Sequence, residues 1–92
     1  MRFIAFWDYD PKDMKEIFKI MGKCGSGLDF VFSPSIIGGQ HKGFTIFETD
    51  DMDKITTYVT HYAGLVNMTV YPLEEAFTFF KKYMEKHPEL MQ

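Results

Sequence analysis

Alternation opens the chain. From Arg2 to Tyr9 the residues Phe3, Ala5, Trp7 and Tyr9 fall on one side of a strand, and Ile4 and Phe6 on the other. Both sides are apolar, as in a strand at the centre of a sheet covered on two faces. Asp10-Pro11 then turns the chain to helix, because Asp accepts unpaired N–H groups as an N-cap and Pro suits the first helical position. Met14, Ile17, Phe18 and Met21 follow at the spacing of one helix face, with Lys12, Asp13, Lys15, Glu16 and Lys19 on the other. Gly22, Gly25 and Gly27 end that helix. They follow a helix instead of joining a strand to one, so they read as a C-cap and not as a phosphate loop.

Leu28 to Ile37 reads as a second strand with Leu28, Phe30 and Phe32 on one face, and Pro34 places it at a sheet edge or a bulge. Gly38-Gly39 supplies the positive φ angles of a tight loop into an antiparallel third strand, Gly43 to Thr49. Asp50 or Asp51 caps a second helix whose stripe is Met52, Ile55, Val59 and Tyr62, and Gly64 ends it in the left-handed region. Val66, Met68 and Val70 alternate through a fourth strand, Leu65 to Tyr71, stopped by Pro72. A last helix, Leu73 to Lys86, carries Leu73, Ala76, Phe77, Phe80 and Met84 on one side and a second stripe of Phe79 and Tyr83. The order predicts an α+β class and a single domain over residues 1–92. Its architecture is a ferredoxin-like βαββαβ arrangement plus a C-terminal helix, with a four-stranded antiparallel sheet and helices on one face.

Composition sharpens this picture at one point. Ninety-two residues make a modest core, yet 17% of them are aromatic, so some rings are expected to find cover from a partner subunit or a ligand. A net charge of -3 disfavours nucleic acid and anionic membranes as partners. No apolar run is long enough for a signal peptide or a membrane span, and the lone Cys24 fits a reducing compartment, so a cytoplasmic location is expected.

The aromatic first strand beginning Arg2-Phe3-Ile4 and containing Trp7, the Gly38-Gly39 turn, the run Gly43-Phe44-Thr45-Ile46-Phe47-Glu48-Thr49-Asp50-Asp51 and the Tyr71-Pro72 stop carry a resemblance. The chain resembles a family of short, functionally uncharacterised prokaryotic domains within the dimeric α/β-barrel class. That resemblance implies a homodimer whose sheets pair face to face. Members of the wider class include cofactor-independent monooxygenases of polyketide quinones, haem binders and small-ligand binders. This chain lacks the Asn-Trp-Thr constellation of those monooxygenases and a helical His suited to haem, so fold and dimerisation carry over and activity does not. The residue pattern agrees independently, because helices on one side of a sheet leave the alternate strand faces bare.

Candidate chemistry is sparse. Trp7, Tyr9, Thr45, Phe47 and Tyr71 are the expected lining of a barrel interior that takes a small apolar or aromatic ligand. An oxygenase or isomerase acting there is the enzymatic alternative, with Glu48 and His61 as its catalytic candidates. A cation at a helix C-terminus explains His61 without function, and capping and dipole placement explain Asp50, Asp51 and Asp53. His41, His61 and His87 are too scattered for a zinc site, and the acidic cluster lacks calcium-loop spacing, so no metal and no cofactor are expected. Cys24 has no adjacent His to activate it. Lys42-Gly43-Phe44 opens like the third-strand signature of RNA-recognition modules, but Thr45, Ile46 and Thr49 break the match. A third reading has Phe79 and Tyr83 docking a protein partner.

Overall fold

The computed structural model describes residues 1–23 and 27–91, so Cys24 and Gly25 lie outside the described residues. Strands β1 (Arg2–Tyr9), β2 (Asp29–Ile36), β3 (Lys42–Glu48) and β4 (Val66–Leu73) form one antiparallel sheet in the order β2-β3-β1-β4. Helix α1 (Met14–Lys23) follows β1, α2 (Met52–His61) follows β3, and α3 (Ala76–Lys86) follows β4. This α+β order is compatible with the ferredoxin-like expectation. Among the described residues no helix is long and apolar enough to cross a membrane.

The local devices are those the sequence announces, with corrections. Asp10 accepts from the Lys12 amide at 3.0 Å, but Pro11–Asp13 is a turn of 3-10 helix that leads into α1. Asp51, and not Asp50, caps α2, accepting from the Asp53 amide at 2.9 Å; Asp50 instead pairs with the Met1 amine, which lowers its carboxyl pKa. In the hairpin only Gly39 has positive φ, 76°, and the Gln40 amide donates to the Ile37 carbonyl at 2.9 Å, a type II turn. Gly64 ends the α2 segment at φ 83°.

Several boundaries differ from expectation: α1 continues through Gly22 to Lys23, and β2, β3 and β4 each start or stop a residue or two away from the expected ends. β3 stops at Glu48, β4 runs through Pro72 to Leu73, and α3 starts at Ala76 instead of Leu73. Pro72 is tolerated because β4 is an edge strand, where a missing N–H need not interrupt a ladder on its outer side.

The core lies between the sheet and α1 and α2. Phe3, Ala5 and Phe47 from the two central strands are buried with Leu28, Ile55 and Tyr58, and Val59, Tyr62, Met68 and Val70 pack around them. Register fixes the rest. Phe3 opposes Phe47, and Ala5 opposes Thr45 and Val70, so these share the helix-covered face. Ile4 and Phe6 therefore lie on the opposite, uncovered face with Phe44, Ile46 and Tyr71.

β2 departs from strict alternation. Its register against β3 shifts between Phe30 and Phe32 and again between Phe32 and Ser35. Phe30 consequently meets Tyr58 on the helix side, at 6.3 Å between ring centroids, whereas Phe32 stacks on Phe44 at 5.3 Å on the open side. The expected common face of Phe30 and Phe32 does not exist, because an irregularity in the ladder turns one of them over. The Thr45 hydroxyl spans the irregularity, donating to the Phe32 carbonyl at 2.7 Å.

Candidate functional site

On the helix-covered side the layers do not close completely. A cleft of about 110 Å³ remains between Trp7 and Tyr9 of β1, Ile17, Phe18 and Met21 of α1, and Tyr58 and Tyr62 of α2. Pro34 and Ile36 of β2 and Val66 and Met68 of β4 complete its walls. Strand alternation brings Trp7 and Tyr9 to it as i, i+2 neighbours, stacked at 6.0 Å, and helix periodicity brings Ile17, Phe18 and Met21. Phe18, Met21 and Ile36 are exposed and form the mouth. The only polar side-chain groups among the lining residues are the Trp7 indole N–H and the hydroxyls of Tyr9, Tyr58 and Tyr62. Burial, then the charge Tyr62 would carry, pushes the Tyr58 phenol up to about 12, so it stays neutral at physiological pH. A lining of this kind holds a ring by dispersion and orients it by very few hydrogen bonds.

The opposite sheet face is apolar and bare. Phe6 meets Tyr71 edge-on at 6.3 Å, Phe32 stacks on Phe44, and Ile4 lies between Ile46 and Tyr71. Its ends are polar: Arg2 Nε donates to Glu48 Oε1 at 2.6 Å at one, and Asn67 Nδ2 to Asp8 Oδ1 at 2.9 Å at the other.

The five expected ligand-lining residues do not share a surface. Trp7 and Tyr9 line the cleft. Thr45 and Phe47, both with 0% exposure, are in the packed core beneath the helices, and Tyr71 is on the bare face. One barrel interior cannot be lined by all five, because residues 45 and 47 are of opposite alternation to Ile4 and Phe6 once the register is fixed. The two catalytic candidates are also apart. Glu48 precedes α2 and is engaged by Arg2, while His61 is the last residue of α2, roughly 14 Å further along the helix axis. His41 packs edge-on against Tyr9 at 5.6 Å, and His87 pairs with Glu89 at 3.2 Å.

Tyr58 and Ile36 were not singled out by the sequence as lining residues. Tyr58 follows Ile55 by three positions and so shares its face, a signal that was present; Ile36 has the strand parity of Phe30 and opposes Gly43 on the helix side, so alternation carried a signal for it too.

A family model described as a domain of unknown function, DUF3303, matches residues 1–86 of the chain. No curated protein matches it.

Proposed function

The chain belongs to the DUF3303 family of domains of unknown function, and from the cleft between sheet and helices we propose that it binds a small apolar or aromatic molecule. The cleft is the observation that carries this reading. An engineered apolar cavity of about 150 Å³ takes up benzene, so a cleft of about 110 Å³ with a mouth of exposed side chains is the right scale for a single ring. The Tyr58 phenol, held neutral, is a hydrogen-bond donor to such a guest.

The test uses phenol and indole as probes. Ligand at ten times its Kd adds about 1.4 kcal/mol of stability, which for a domain of this size raises Tm by roughly 6–11 °C. Ile36→Trp fills the mouth from an exposed position and should abolish the rise without lowering the Tm of the free protein. No rise with either probe at millimolar concentration sinks the proposal.

The bare sheet face supports a second reading, about assembly: a ferredoxin-like subunit whose open face meets that of a second copy, forming a dimeric α/β barrel. Light scattering should give twice the 10.8 kDa chain mass, and Phe6→Glu should return it to the monomer. A parent protein that stays monomeric at high micromolar concentration removes this reading.

A further inference from the structure

Among the described residues, none of those in α3 is buried. At 100° per residue Ala76, Phe77, Phe79, Phe80, Tyr83 and Met84 occupy an arc of roughly 160°, the width of a helix face that is normally buried. In this chain Phe77 is 79% exposed, Phe79 60% and Phe80 58%, and no residue of α3 is buried. The element it packs against appreciably is the 3-10 turn Pro88–Met91 that follows it. The spacing puts Leu73, Ala76, Phe77, Phe80 and Met84 on one side of this helix; the helix starts at Ala76, and none of its residues is buried.

The reason is the junction. Glu75 is extended, with φ -62° and ψ 135°, so the chain continues extended past the end of β4 before the helix begins. The helix therefore leaves the sheet onward from β4. An eight-residue strand, two extended residues, eleven helical residues and four of 3-10 helix placed end to end span roughly 58 Å, and the molecule is 58 Å long. Its radius of gyration, 17.0 Å, exceeds the roughly 12 Å of a compact chain of this length.

We propose that α3 is an exchanged arm, whose aromatic face packs on a second copy of this chain at the flank of that copy's open sheet face. Two considerations select a second copy as the occupant. An eleven-residue helix is marginal in water without tertiary contacts, so α3 requires a surface, and a broad uncovered apolar surface among the described residues is the sheet face bearing Phe6, Phe32 and Tyr71. At ~200 Å² per ring, the exposed fractions of Phe77, Phe79, Phe80 and Tyr83 amount to roughly 480 Å², and those of Phe6, Phe32 and Tyr71 to roughly 300 Å². Together they approach the ~800 Å² that each partner contributes to a standard specific interface. Neither patch reaches that alone.

This inference rests on the dimer reading, and its test separates the two. Amide hydrogen exchange of residues 77–86 is measured across a dilution series of the full chain, with mass followed by light scattering. Protection of α3 should rise and fall with the dimer, and Phe77→Glu with Phe80→Glu should remove it and weaken dimerisation at least tenfold. Those positions touch no core residue, so the sheet amides of the variant should keep their protection. A dimer with α3 amides still unprotected overturns the arm and leaves the barrel standing. A chain that never dimerises overturns both. Protection of α3 in the monomer, independent of concentration, means the helix folds back on its own sheet and also overturns the arm.

Discussion

Gly43→Ala tests the close approach on which the outer half of the sheet depends. A Cβ built at Gly43 overlaps the Ser35 carbonyl oxygen of β2 and lies 2.7 Å from two ring carbons of Trp7, against the 3.5–4.0 Å of an ordinary carbon contact. The indole can turn aside, into the cleft. The Ser35 oxygen is backbone, so β2 itself must move away. Overpacking of this kind costs about 1–3 kcal/mol, and the backbone clash points to the upper end. Gly43 is not among the positive-φ glycines, so alanine needs no strained backbone there, and the less flexible unfolded chain returns about 0.4–1 kcal/mol. A net loss of about 2 kcal/mol is expected. A chain of this length has roughly 5–14 kcal/mol in total, and Tm should fall by roughly 8–16 °C. Urea unfolding followed by emission of Trp7, the sole tryptophan, measures the loss, and a shifted native emission spectrum reports the displaced indole. In the Trp7→Leu background the ring's share should vanish while the β2 share persists. Stability within about 0.5 kcal/mol of the parent, with unchanged emission, would refute the reasoning.

Two further substitutions test the core. Thr45→Val keeps the shape but leaves the Phe32 carbonyl without its 2.7 Å donor, and should cost about 1–2 kcal/mol in urea unfolding; a neutral result means water reaches that carbonyl. Tyr58 carries a pH signature. Its folded pKa is raised, from 10.0 to about 12, so the stability it contributes is whole below pH 10 and is lost as pH climbs through 12, by about 3 kcal/mol. Denaturation curves of the parent should therefore weaken more steeply between pH 10 and 12 than those of Tyr58→Phe, and parallel pH profiles would contradict the burial argument.

The element order was legible because each element carries its own period: two in β1 and β4, three to four in α1 and α2. Caps and stops were nearly as legible, since Asp51, Gly39 and Gly64 act through a few backbone atoms nearby. Sidedness was not. Phe3 and Phe6 are both plausible core residues, and only pairing with Phe47 and Phe44 decides between them. Phe32 was misplaced because a bulge is a property of two strands read together. The aromatic face of α3 was legible as a stripe, but what covers it was not, since amphipathicity says that a face is buried and not against what. The cleft lay beyond reach, being an imperfection of fit among three strands and two helices whose members are otherwise ordinary packing residues.

The central position of β1 orders the life of the chain in time. The β2–β3 hairpin closes across a handful of residues, but β1 meets β3 across about forty and β4 across about sixty-five, and long closures are slow. The strand that comes first within this domain is thus the last to gain both neighbours. Until residues 66–73 exist, a strand apolar on both sides has an unpaired edge, the form in which chains find one another wrongly. Chaperone dependence of this domain should begin at β1, although that strand ends up in the middle of the sheet.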